Sequence, residues 1–175
     1  MRPVYTVGHS TRSIEQLVEL LRAHEVTRLI DIRTVPKSRH NPQFNLEEMP
    51  AALEPYGIAY EHQSALGGLR HARKDSINTA WENASFRGYA DYMQTEEFAA
   101  ALEDLVGTSQ AETVAIMCAE AVPWRCHRRM VADALVARGL EVLHIYTATK
   151  VEAHRLTPFA RIDGTRVTYP GLPFE

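Results

Sequence analysis

At 175 residues the chain has the length of one domain, and a domain of this size buries roughly 70% of the surface its unfolded chain exposes. Hydrophobic residues at 45% and charged residues at 23% are ordinary globular values, so a stable core needs no covalent staples. A formal charge of −3 and a pI near 6.2 exclude a protein that coats nucleic acid or anionic membrane through overall charge.

Val4-Tyr5-Thr6-Val7 reads as a short first strand, followed by Gly8-His9-Ser10-Thr11. A helix then starts in a capping box, with Ser13 as N-cap and Gln16 at the reciprocal position. Ile14, Leu17, Val18 and Leu21 give it one apolar face. Arg28 to Ile32 is a second strand, apolar enough to lie inside a sheet. After a loop holding Pro36, Lys37, Arg39, His40, Asn41 and Pro42, Asn45 caps a second helix, with Glu48 as its partner and Leu46, Met49 and Leu53 inward. Gly57 ends that helix and Ile58-Ala59-Tyr60 is the third strand.

Residues 61–85 are polar and glycine-bearing, too long for a structureless loop in a compact domain. They are either functional or hide an element. Helical patterns resume at Phe86–Met93 and Glu96–Leu105. Thr113 to Met117 is the most convincing strand, and it runs into Cys118-Ala119-Glu120. Pro123 opens a helix that ends near Gly139, Val142 to Tyr146 is a fifth strand, and Arg161-Ile162 with Val167-Thr168-Tyr169 form a hairpin about Asp163-Gly164. The alternation predicts one α/β domain over residues 1–175, its core about 4–147 and a C-terminal extension 148–175. The architecture expected is a mostly parallel five-stranded sheet with helices on both faces and a small C-terminal hairpin.

In the common doubly wound order the first and fourth strands are neighbours, and ligands bind beyond their carboxyl ends. Gly8, His9, Ser10 and Thr11 follow the first strand; Asp31 and Arg33 close the second; Cys118 and Glu120 follow the fourth. Gly8 permits a tight turn, amides at the next helix start hold an anion, and Arg33 offers a two-pronged grip on phosphate or carboxylate. Cys126 and His127 fall in the first turn of the helix from Pro123, where the dipole and Arg125, Arg128 and Arg129 favour a thiolate. Glu120 is a candidate general acid or base whose partial burial would bring it toward neutrality.

The same residues have plainer uses. Cys118 is a small buried apolar group, Asp31 and Arg33 neutralise each other, and His9 satisfies itself on backbone. His24, His144 and His154 read as surface or core fillers, and Tyr89, Tyr92 and Met93 as core. Several sharper motifs fail: a phosphatase-type cysteine loop needs an arginine where Trp124 stands, and the phosphate-loop and dinucleotide fingerprints are absent. Cys118, Cys126 and His127 lack the paired spacing and full ligand set of structural zinc, so no metal ligand is assigned and no cofactor is identified.

At these residues the chain resembles the bacterial Domain of Unknown Function 488 family, from about Tyr5 to Tyr169. The likeness is carried by Val7 to Thr11, Asp31-Ile32-Arg33, Asn41-Pro42-Gln43-Phe44-Asn45, Leu66-Gly67-Gly68, Ser85 to Tyr89, and Cys118-Ala119-Glu120 with Cys126-His127-Arg128. It implies a compact α/β fold and a polar centre built from those segments, and brings no reaction with it.

Three functional readings follow. The first is an enzyme for a small anionic or nucleotide-like substrate, with Glu120, Cys118, Cys126, His127 and His9 catalytic. Gly8, Ser10, Thr11, Asp31, Arg33, Asn41, Phe44 and Arg128 then bind the substrate. The second is a nucleic-acid-associated module that uses the basic loops around Arg39 and Arg73 beside Phe44 and Trp81 as stacking faces. The third is a metal- or redox-sensing protein built on Cys118 and Cys126. With no apolar leader and no spanning stretch, and with only those two cysteines, the expectation is a cytoplasmic protein with reduced thiols and no membrane partner.

Overall fold

The computed structural model describes residues 1–171. The parallel core comprises β1 (Val4–Gly8), β2 (Arg28–Asp31), β3 (Ala59–His62), β4 (Val114–Cys118) and β5 (Val142–Ile145). A sixth strand, β6 (Val151–Ala153), runs antiparallel along β5, so the sheet has six strands rather than the expected five, in the order β3-β2-β4-β1-β5-β6. The turn at Thr147 to Lys150, with the Lys150 amide on the Thr147 carbonyl, folds the chain back onto the β5 edge. No apolar run announces so short an exposed strand. A separate hairpin pairs β7 (Arg161–Asp163) with β8 (Arg166–Thr168) about Gly164, whose φ is +65°.

Alternation along β4 divides the core. Val114, Ile116 and Cys118 face a cluster with α3 (Ala84–Tyr92), α4 (Glu96–Ala111) and α5 (Arg128–Ala137). Ala115 and Met117 face α1 (Ile14–Ala23) and α2 (Met49–Leu53) on the other side. Helices thus cover both faces of the sheet. The pairs Gly8↔Cys118 and Thr6↔Ile116 bring β1 and β4 to a common end.

The capping box of α1 forms as expected: the Gln16 amide donates to Ser13 Oγ, and the Ser13 amide to Gln16 Oε1. Three helices depart from their sequence reading. Asn45 does not cap α2, because its side-chain oxygen accepts from the Ser38 amide at 2.7 Å; α2 starts only at Met49, with Pro50 in its first turn. α4 runs on to Ala111, since Thr108 and Ser109 turn their hydroxyls onto the Asp104 and Val106 carbonyls and Gly107 stays helical. The helix expected from Pro123 is broken in two. A 3₁₀ turn at Pro123–Arg125 is followed by Cys126 in extended conformation, and α5 begins at Arg128.

Of residues 61–85, the first two end β3 and the last two open α3; between them lies one 3₁₀ turn, Ser64–Leu66, and the rest is irregular but tied down. The Asp91 carboxylate accepts from Ser76 Oγ, Asn78 Nδ2 and the Arg73 amide, while the Tyr89 and Tyr92 hydroxyls donate to the Leu66 and Ala65 carbonyls. This anchoring presents Gly68 and Leu69 beside the carboxyl ends of the parallel strands. Among the described residues no helix is long and apolar enough to cross a membrane.

Candidate active site

A cleft of about 620 Å³ opens beyond the carboxyl ends of β1, β2 and β4. His9, Ser10, Thr11, Arg33, Asn41, Cys118, Glu120, Cys126 and His127 all line it, so most of the residues singled out by sequence meet in one place. The others stand behind its walls. Asp31, Phe44 and Arg128 are fully buried, and Gly8 closes β1 beneath the rim.

On the α1/α2 side, Asp31 is saturated. It accepts from Arg33 Nε at 2.9 Å and Nη2 at 2.6 Å, from the Arg33 amide, and from the Tyr60 hydroxyl at 2.5 Å. Arg33 Nη2 also donates to the Phe44 carbonyl. The two-pronged grip expected of Arg33 on a ligand is therefore spent on Asp31, and the plainer reading of this pair describes its geometry. Arg33 Nη1 donates to His9 Nε2 at 3.2 Å, which leaves His9 Nδ1–H to donate to the Ser10 carbonyl at 2.8 Å. Burial lowers the His9 pKa, and the neighbouring Arg33 charge adds to that effect. Stacked on Phe44 with ring centroids 4.4 Å apart, His9 is a fixed, neutral imidazole with both nitrogens engaged.

On the α5 side, Arg128 is 0% exposed and no carboxylate among the described residues reaches it. Its Nε points at Cys118 Sγ, 3.2 Å away; Nη1 donates to Thr6 Oγ1 at 2.7 Å and Nη2 to the Glu120 carbonyl at 2.9 Å. A guanidinium cannot shed its charge inside a protein, so the anion nearest to hand is the Cys118 thiolate. Burial, the largest single influence, opposes ionisation of Cys118. A hydrogen bond from the Cys126 thiol and the Arg128 charge outweigh it and lower the pKa to about 7. Burial and the adjoining Cys118 push Cys126 the other way, so of the two thiols Cys118 is the one that ionises first.

Cys126 does not sit inside a helical turn as expected. Its sulfur accepts from the Arg128 amide at 3.3 Å, in the manner of a helix cap. His127 Nε2 lies 2.8 Å from the Ile32 carbonyl, which can only accept, so Nδ1 is the bare nitrogen and faces Cys126 Sγ at 3.4 Å. Burial lowers the His127 pKa to about 4. Glu120 lacks the partial burial expected of it. Its carboxylate is exposed at the cleft mouth, while its carbonyl serves Arg128. Gly8 earns its place by close approach rather than by a turn: a methyl group there would collide with the Glu120 carbonyl, and the left-handed residue is Ser10, at φ +49°.

The model of the family described as Domain of unknown function DUF488 matches residues 13–135. The chain belongs to this family. The DUF488 match takes in Asp31, Arg33 and the whole run from Cys118 to Arg128 with most of α5, while Gly8 to Thr11 and everything after residue 135 lie outside it. No curated protein and no solved structure matches the chain.

Sequence reasoning missed two residues here, Thr6 and His144, and placed Lys37 and Arg125 only as a loop charge and a charge near the thiol. Lys37 and Arg125 line the cleft, exposed and without an acidic partner among the described residues. Thr6 and His144 lie behind Arg128, with Thr6 Oγ1 2.5 Å from His144 Nδ1. No local pattern marks Thr6 and His144, because they reach the site across the sheet. Neither Phe44 nor Trp81 is a surface stacking face: Phe44 lies beneath His9, and Trp81 packs against Phe86, Phe159 and Tyr169. Among the described residues no three histidine, cysteine or acidic side chains cluster closely enough to hold a metal ion.

Proposed function

We propose that the cleft is the active site of a thiolate enzyme acting on a small anionic substrate, with Cys118 as nucleophile. The observation that carries this reading is the buried Arg128 guanidinium, which has no carboxylate partner among the described residues and directs its Nε at Cys118 Sγ. Lys37 and Arg125 at the cleft supply free positive charge. The amides of Ala119, Glu120 and Ala121, which make no hydrogen bond within the described protein, offer donors to the same anion. Asn41, Ser10 and Thr11 add neutral polar groups along the wall.

In this scheme the Cys118 sulfur attacks the electrophilic carbon or phosphorus next to the anionic group. The S–X bond forms as the bond to the leaving group breaks, and the leaving group departs with a proton that the exposed Glu120 carboxylate relays from solvent at the cleft mouth. Water then attacks the thio-intermediate and gives its proton to Glu120, releasing the X–OH product and restoring the thiolate. Cys126 and His127 hold the second sulfur protonated beside it. His9 and Arg33 act as a rigid wall rather than as proton carriers.

The test combines binding and labelling. Inorganic phosphate and nucleoside monophosphates are screened by thermal shift, and hits are tested for protection of Cys118 from iodoacetamide, read by peptide mass spectrometry. A ligand that stabilises the protein should also shield Cys118, and K37A with R125A should remove both effects. Stabilisation that leaves Cys118 labelling unchanged would sink the assignment.

A redox reading is favoured by one observation, the convergence of both sulfurs on Arg128, whose Nε lies 3.2 Å from Cys118 Sγ and whose amide lies 3.3 Å from Cys126 Sγ. Peroxide would oxidise Cys118 to the sulfenic acid, and the Cys126 thiol would displace water from it to close a disulfide. Intact-mass analysis after mild peroxide decides this: loss of two hydrogens supports it, and an unchanged mass with both thiols alkylatable rejects it.

A further inference from the structure

The polar chain behind Arg128 does not stop at Thr6. Thr6 Oγ1 meets His144 Nδ1 at 2.5 Å, His144 Nε2 meets His154 Nδ1 at 2.8 Å, and His154 Nε2 meets Asp133 Oδ1 at 2.7 Å. Each of these groups comes from a different element: β1, β5, the residue after β6, and α5. Thr6, His144, Asp133 and Arg128 are buried, and the His154 side chain is 4% exposed.

One end fixes the direction of the whole chain. A carboxylate can only accept, so His154 donates from Nε2, and in its neutral form it offers Nδ1 as acceptor. His144 must then donate from Nε2, which leaves its Nδ1 bare. Thr6 therefore donates its hydroxyl proton to His144, and its oxygen is turned to accept from Arg128 Nη1. The other donors to Asp133 are the Thr157 amide and hydroxyl and the Tyr169 hydroxyl, so the carboxylate stays an acceptor on every side. Burial lowers the His144 pKa to about 3, so this imidazole remains neutral through the physiological range.

We propose that Asp133, His154, His144 and Thr6 are positioning residues that aim Arg128 at Cys118. A planar guanidinium directs Nε at one sulfur only if its far edge is pinned, and here the pins are Thr6 Oγ1 and the Glu120 and Ala121 carbonyls. The relay carries orientation rather than protons, because Arg128 does not deprotonate. Its length has a physical reason. A carboxylate placed directly on Arg128 would take up the fork, as Asp31 does with Arg33, and the sulfur would lose its counter-charge. Holding the carboxylate at the end of two imidazoles and a hydroxyl anchors the guanidinium without neutralising it.

The inference rests on the thiolate reading of Cys118, and the test separates the two. The measurement is the pH dependence of Cys118 alkylation by iodoacetamide, resolved from Cys126 by peptide mass spectrometry, in wild type, T6V, T6S and H154L. Circular dichroism selects folded variants. The charged and titratable groups around the chain are Cys126 and His127 beside Cys118, Arg129 and Tyr169 near Asp133, and Glu152 on β6 opposite His144. In wild type the rate should rise through a midpoint near pH 7. In T6V and in H154L the midpoint should move up toward that of an ordinary thiol, cutting the rate at pH 7 by roughly tenfold, while T6S retains it. If T6V does not fold, H154L alone decides. A low midpoint in wild type that neither variant moves overturns the relay and leaves the thiolate in place. An ordinary midpoint in wild type overturns the thiolate reading itself.

Discussion

A buried arginine that no carboxylate among the described residues meets is the feature on which the proposed chemistry rests. Its charge is divided between one sulfur and three oxygens, Thr6 Oγ1 and two main-chain carbonyls. Because the fork is planar and its donors are spaced to match, lysine cannot take its place. R128K should therefore raise the Cys118 midpoint toward the ordinary thiol range near 8.5 even where the protein folds, and iodoacetamide labelling at pH 7 should slow by about tenfold. Equal rates for R128K and wild type would show that the guanidinium does not set the acidity of Cys118. The contrast with Arg33 is instructive. There the fork meets Asp31 and Tyr60 completes the set, so a residue that reads as a ligand clamp is a strut.

At the scale of elements, the decisive contact is between the end of β1 and the loop after β4. Gly8 pairs with Cys118, and the Glu120 carbonyl crosses over Gly8 to reach Arg128. The glycine is demanded by that crossing. G8A should cost roughly 1–3 kcal/mol, because main chain must give way rather than a flexible side chain. It should also disturb Cys118 labelling, since the displaced carbonyl is one of the pins on Arg128. Urea denaturation measures the first effect and the alkylation profile the second; a variant as stable as wild type would mean that the loop relaxes freely. The break between the 3₁₀ turn and α5 belongs to the same scale. Had the helix run unbroken from Pro123, as its Pro-first pattern suggests, Cys126 would lack the extended backbone that turns its sulfur to the Arg128 amide.

For the whole molecule, the buried histidines predict how stability depends on pH. His127 and His144 are held at about 4 and about 3 when folded, below the ordinary value near 6.5, and His9 is lowered as well, each by burial first. The unfolded chain therefore binds more protons through this window, and stability present above pH 6.5 is lost as the pH falls toward 4 and then 3. Thermal unfolding from pH 7.5 to 4 should show a steady fall in Tm that begins near pH 6.5, with a loss on the order of a few kcal/mol. H144N should flatten the lower part of the curve. A Tm constant down to pH 4.5 would contradict neutral, buried imidazoles.

The sequence by itself determined the alternation of strands and helices, the capping box at Ser13, the terminal hairpin, and the gathering of Cys118, Cys126, His9 and Arg33 at one edge of the sheet. These rest on local signals: period-two and period-3.6 patterns, caps, and the rule that parallel strands present their following loops on the same side. It also reached membership of the DUF488 family, through motifs clustered in those loops. Only the tertiary structure decided which charge meets which. Asp31 takes Arg33 out of play, Lys37 and Arg125 stay free, and Thr6 and His144, placed in strands by sequence as fillers, stand behind Arg128. It also added β6, whose three residues pair only because β5 offers them an open edge. Periodicity reports which face a residue takes and nothing about its neighbour across the sheet. Hydrogen-bond partners, and the pKa values they set, depend on residues more than a hundred positions apart coming within 3 Å, as Thr6 and Arg128 do at 2.7 Å.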